Sequence, residues 1–123
     1  MATHSCQLTS ALQGAYAVYA VTNFWDADIY PNNMEREVTQ GKQLADISKQ
    51  QGVQHYLWSS LHDTKVASGG KIEVPHFSLK NHVEQYIKQI GLPSTFVYPG
   101  NSSFRFRFLT KARFLHFQCK HVW

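Results

Sequence analysis

Apolar residues along this chain recur with two different periods. Residues 15–21, AYAVYAV, form an almost unbroken apolar run of Ala, Val and Tyr. A strand buried on both faces of a parallel sheet reads this way. Residues 53–60, with Tyr56, Leu57 and Trp58, and residues 94–98, STFVY, repeat the pattern in shorter form. Between these runs the spacing changes to three and four. Met34, Val38, Gly41, Ala45 and Ser48, with Leu44 and Ile47 beside them, predict one helix. Its stripe is narrow and made largely of small residues, so close packing on a sheet is expected. Pro31 opens this helix, since a first helical turn tolerates a missing N–H. Glu35 and Glu37 suit the positive end of its dipole, and Gly52 ends it. Leu79, Val83, Tyr86, Ile87 and Ile90 predict a second helix, capped by Ser78 and stopped by Gly91 and Pro93. Residues 6–13, closed by Gly14, read as the last turns of an earlier helix. Residues 61–75, polar with Gly69-Gly70 and Pro75, read as a loop.

Helix, strand, helix, strand, helix, strand is the order of an α/β domain whose parallel strands are joined by right-handed crossovers. Ligands of such sheets bind outside the carboxyl ends of the strands. Three segments end there: Thr22-Asn23-Phe24-Trp25, Ser59-Ser60-Leu61 and Pro99-Gly100-Asn101. The helix-opening segment His76-Phe77-Ser78-Leu79-Lys80 can reach the same edge. Two serines after an apolar strand are first of all a strand end, and neither Ser59 nor Ser60 is taken as catalytic.

Composition adds limits. The chain has 123 residues, 43% hydrophobic and 16% charged, which fits one globular domain. No run of 18 or more apolar residues suggests a membrane span, and no signal peptide is apparent. Cys6 and Cys119 are too few for a disulfide framework and read as free thiols of an intracellular protein. Charge is uneven: residues 1–84 hold six Lys/Arg against eight Asp/Glu, net −2, while residues 85–123 hold six Lys/Arg and no acid, net +6. The basic end could attract an anionic surface or nucleic acid, or it could be a sequence under little constraint. His116, Cys119 and His121 have a spacing that metals use, but a fourth ligand is wanting. No metal site is assigned, and no residue is assigned as catalytic.

The segments GAYAVYAVTNFW, Gln40-Gly41-Lys42 through His55-Tyr56-Leu57-Trp58-Ser59-Ser60-Leu61, PHFSLK followed by VEQYI, and GLPSTFVYPG occur in one order. Together they resemble the NmrA-like family, an atypical branch of the short-chain dehydrogenase/reductases. The resemblance covers roughly residues 8–101. It implies an incomplete Rossmann-type parallel sheet flanked by helices, truncated at the N-terminus and divergent after about residue 101. Residues 1–101 would then be a partial NAD(P)-binding domain, and 102–123 a basic aromatic tail. The cofactor implied is NADP or NAD, and the role implied is redox sensing or transcriptional regulation. An NADPH-dependent reductase and a non-functional fragment are the alternatives. By the same resemblance, Thr22, Asn23 and Phe24 lie along the cofactor near its centre. Lys80 bonds the nicotinamide ribose, and Pro99 and Gly100 flank the nicotinamide. The catalytic branch carries YxxxK where this chain has His76 and Lys80, and that departure speaks against an enzyme.

Two departures concern the ends. The seven glycines include no GxGxxG or GxxGxxG turn, which would bring backbone N–H groups to a pyrophosphate. Dinucleotide affinity is therefore expected to be weak if there is any. Loss of central strands would also leave exposed an edge and a face suited to burial. After residue 101, Phe104, Phe106 and Phe108 alternate with Arg105 and Arg107. That alternation fits an edge strand or a single-strand nucleic-acid surface. A frame change or a read-through intron gives the same break, and nucleic acid is not the expected partner. The expected partners are a dinucleotide and a transcription factor or other protein, with residence in the cytoplasm or nucleus.

Overall fold

The computed structural model describes residues 2–99, with side chains described from Cys6 onward. Gly100, the tail 102–123 and its His116, Cys119 and His121 lie outside the described residues. Seven elements follow one another: α1 (Ala2–Leu12), β1 (Ala17–Ala20), α2 (Glu35–Gln50), β2 (His55–Ser59), α3 (Thr64–Ala67), α4 (Pro75–Ile90) and β3 (Ser94–Val97). The strands form one parallel sheet in the order β1-β2-β3. The alternating α/β reading is thus what the described residues adopt.

One face of this sheet carries the core. Val18 lies beside Tyr56 in the strand register, Ala20 beside Trp58, and Trp58 in turn beside Phe96. These side chains pack against Val38 and Ala45 of α2 and Leu79, Val83 and Ile87 of α4. Leu8 and Leu12 of α1 form a smaller cluster with Ile47 of α2. Helix α2 meets α4 at a point where Gly41 leaves no room: a Cβ there would stand 2.7 and 2.8 Å from the two γ-carbons of Val83 and 3.1 Å from Trp58. The small-residue stripe does serve close packing, with both the sheet and the neighbouring helix.

Several expectations need correction. β1 is not buried on both faces. Tyr19 is 47% exposed and Val21, just past the strand, 52%, because the described helices pack on the opposite face and β1 is an edge strand. Pro31 does not open α2. It follows a cis Tyr30–Pro31 bond within a hydrogen-bonded turn, where Ile29 N–H and Tyr30 N–H donate to the Asp26 carbonyl. The helix starts at Glu35, after Met34, with no side-chain cap. Ser78 is not the cap of α4. That helix starts at Pro75 after Val74, since proline suits a first turn. Ser78 is buried one turn in, and its hydroxyl donates to Asp63 Oδ1 at 2.9 Å. The loop 61–75 contains α3, whose N-cap Asp63 accepts from the N–H groups of Lys65 and Val66.

Candidate functional site

The carboxyl ends of the three strands lie along one edge, and Lys80 and Glu84 of α4 reach it. Four α4 residues at intervals of four, His76, Lys80, Glu84 and Lys88, form a row on one helical face. Each contacts a different part of the edge or supports a neighbour that does.

Lys80 reaches the exit of β1. Its ammonium donates to the Thr22 carbonyl at 2.9 Å, to Thr22 Oγ1 at 3.1 Å and to Glu37 Oε1 at 2.8 Å. The Thr22 hydroxyl in turn donates to Glu37 Oε1 at 2.7 Å. An ammonium has three N–H donors, so all of them have partners here. The lysine side chain is 12% exposed and that of Glu37 0%. Trp58 lies below, its ring centroid 5.8 Å from the ammonium and its Nε1 donating to the Lys80 carbonyl at 3.0 Å. Full burial of this indole gives the cluster a rigid floor.

Beyond Thr22 the chain turns sharply. The exposed Asn23 accepts from the Trp25 N–H through Oδ1 at 3.2 Å, which shapes the turn. Phe24 is buried and heads an aromatic group: its ring centroid lies 5.0 Å from Trp25, 5.5 Å from Tyr30 and 5.5 Å from His76. His76 also stands 5.3 Å from Trp25 and 4.6 Å from Phe77. The histidine is therefore packed among rings rather than held by a carboxylate.

At the exits of β2 and β3 sits a second cluster around Glu84, which is 2% exposed. Its carboxylate accepts from Ser60 Oγ at 2.5 Å, from Lys88 Nζ at 2.6 Å and from the Tyr98 hydroxyl. Burial works to raise the Glu84 pKa, but the bonds from Lys88, Ser60 and Tyr98 outweigh it and hold the carboxyl below its ordinary value. The same contact, together with burial, pushes the Tyr98 phenol up. The His62 ring stacks on Tyr98 with centroids 4.7 Å apart.

The structure thus brings Thr22, Asn23, Phe24 and Lys80 together at one edge. Pro99 is exposed just past β3, on the far side of β2 from β1. Ser59 and Ser60 are buried, with the Ser60 hydroxyl engaged by Glu84. Of the two tryptophans among the described residues, Trp58 is packing while Trp25 is 62% exposed. Glu37 and Glu84 were not singled out as site residues from the sequence. The spacing of four from Lys80 to Glu84 was legible as a helical neighbour. Glu37 had only its place in a first turn, which signals the helix dipole and nothing about its partner. Among the described residues, no group of His, Cys, Asp and Glu could hold a metal ion. Among the same residues, no helix is long and apolar enough to cross a membrane.

The model of the NmrA-like family matches residues 2–114. The chain belongs to the NmrA-like family. That match runs past residue 101, into the segment that the sequence reading set apart as divergent. The chain is similar to the nitrogen metabolite repression protein nmrA of Emericella nidulans, with 48% identity over 65 residues, covering 52% of this chain and 18% of that protein. It is also similar to a crystal structure of NmrA, a negative transcriptional regulator, in complex with NAD, at 35% identity and a TM-score of 0.64. A structure of the same regulator in complex with NADP matches with 35% identity and a TM-score of 0.64. Each alignment covers 79% of this chain and 28% of the solved one. The chain therefore spans less than a third of the length of these relatives. The Rossmann-type reading of the fold agrees with these solved neighbours.

Proposed function

We propose that this NmrA-like chain supplies part of a dinucleotide site of a redox-sensing or transcription-regulatory module that takes NADP or NAD. Residues 1–101 form the binding portion. Thr22, Asn23, Phe24 and Lys80 lie along the nucleotide, and Pro99 and Gly100 flank its nicotinamide. The observation that carries this reading is the meeting of Lys80 with Thr22, 58 residues apart in sequence, at the carboxyl end of β1. The relatives that are complexes with NAD and NADP support the ligand class. The description of one relative as a negative transcriptional regulator supports a transcription-factor partner and residence in the cytoplasm or nucleus.

Binding without turnover is the favoured form of this function. A short-chain reductase draws on a lysine whose charge acts on a tyrosine hydroxyl. Here the Lys80 charge is matched by Glu37, and the residue four before it is His76, packed among aromatic rings. Neither feature favours a proton relay.

The test is titration of the full chain with NADPH and NADH, following tryptophan fluorescence and thermal shift together. Saturable binding weaker than micromolar, lost in Lys80→Met/Glu37→Met, is the expected result. The double variant is chosen because removing both partners avoids stranding a buried charge. No binding by a folded chain would overturn the reading. Micromolar or tighter binding would overturn the expected weakness. Hydride transfer to carbonyl or quinone substrates would establish the reductase alternative instead.

A further inference from the structure

The Lys80 cluster carries more than the placement of one ammonium. Glu37 is fully buried in the first turn of α2, yet its Oε2 has no hydrogen-bond partner among the described residues. Its other oxygen accepts both the Thr22 hydroxyl and the Lys80 ammonium. A buried carboxylate this sparsely bonded depends on its counter-ion, since an unpaired charge at such a depth is costly. Lys80 is the one ion-pair partner of Glu37 among the described residues. The site at the exit of β1 is thus a hydrogen-bond donor with no net charge.

We propose that Glu37 is the specificity-determining residue of this site: by cancelling the charge of Lys80, it makes the exit of β1 accept the neutral hydroxyl groups of a sugar and refuse a phosphate. The proposal rests on the dinucleotide reading above for the identity of the sugar, a ribose. Its physical argument is independent of that reading. A phosphate binds a lysine chiefly through charge, and a charge already matched at 2.8 Å leaves little attraction for a second anion. A hydroxyl needs only a directed donor and acceptor. It can take over the longest of the three lysine contacts, that to Thr22 Oγ1 at 3.1 Å, while the ion pair stays intact. The Thr22 hydroxyl then still donates to Glu37 Oε1, so the exchange strands no further buried group. Geometry also aids selection, because three acceptors on Thr22 and Glu37 hold the ammonium at the exit of β1.

The experiment measures inorganic phosphate binding by the full chain, using thermal shift and the side-chain resonance of Lys80 in a lysine-labelled sample. Wild type is expected to leave the Lys80 resonance in place as phosphate is raised. Glu37→Gln keeps the shape and the acceptor oxygen but removes the charge. It is expected to bind phosphate about tenfold more tightly than wild type, as an uncancelled unit charge in a largely buried site implies. That gain should vanish in Glu37→Gln/Lys80→Met. A folded Glu37→Gln without gain would overturn the proposal. Where Glu37→Gln fails to fold, the wild-type resonance decides: a Lys80 signal that moves with phosphate overturns the proposal, and one that stays supports it. NADPH titration of wild type separates the two readings. Absence of NADPH binding together with the phosphate gain sinks the dinucleotide reading alone. NADPH binding with no phosphate gain sinks the role of Glu37 alone.

Discussion

Gly41 shows how much a single position can decide. An added methyl would meet both γ-carbons of Val83 at under 3 Å, so rotating the valine does not clear it. Overpacking of this kind costs about 1–3 kcal/mol, against about 1 kcal/mol that alanine gains over glycine in a helix. Gly41→Ala is therefore expected to lower the thermal midpoint, as a circular-dichroism melt would record; an unchanged or raised midpoint would mean that α2 and α4 can separate freely. Lys80 is the second such position. Lys80→Met strands the buried Glu37 carboxylate, a change that costs about 3–5 kcal/mol in buried pairs. Lys80→Met/Glu37→Met is expected to be more stable than the single variant in urea unfolding. Equal stability would mean that Glu37 finds another partner.

At the scale of elements, α4 ties the carboxyl edge together. Through Lys80 it holds β1 and α2, and through Glu84 it holds the segments after β2 and β3. This gives a pH dependence with a definite sign. The Glu84 carboxyl lies lower in the folded chain than its ordinary value of 4.5, so its contribution is present above 4.5 and is lost as pH falls below it. The Tyr98 phenol is raised above its ordinary value of 10.0, so its contribution is present below 10.0 and fades as pH rises beyond it. Stability measured by denaturant between pH 3 and pH 7 should fall on the acid side, and Glu84→Gln should flatten that fall. A slope unchanged by the substitution would place the acid sensitivity elsewhere.

At the scale of the whole molecule, the described residues form two layers rather than three. Helices cover one face of the sheet. The other face presents Tyr19 and the half-buried Leu57 and Val97, with His55 and Thr95 hydrogen-bonded across it at 3.2 Å. Tyr16 beside the β1 edge is 73% exposed. An open parallel edge flanked by apolar groups invites pairing with another chain. This chain by itself is expected to self-associate as its concentration rises. Sedimentation velocity should show less association for Tyr16→Ser/Tyr19→Thr, and equal association would exonerate the edge.

Much of this was present in the sequence. The change from run to three-and-four spacing determined which segments are strands and which are helices, because side-chain period is a local property of the backbone. Gly14, Gly52 and Gly91 marked their turns with positive φ angles, and the order of elements dictated a parallel sheet. What the sequence left open depends on contacts between distant residues. The run 15–21 reads as a strand buried on both sides, but burial is set by what packs on each face. Pro31 and Ser78 suit helix starts by type, yet a neighbouring turn and Asp63 claimed them. Lys80 was visible as a ribose ligand through family resemblance alone. That all three of its donors are already engaged by Thr22 and Glu37, 58 and 43 residues away, only the tertiary structure decided. The physical reason is that a charge has no sequence signature of its partner: an acid in a helical first turn looks the same whether it faces water or a buried ammonium.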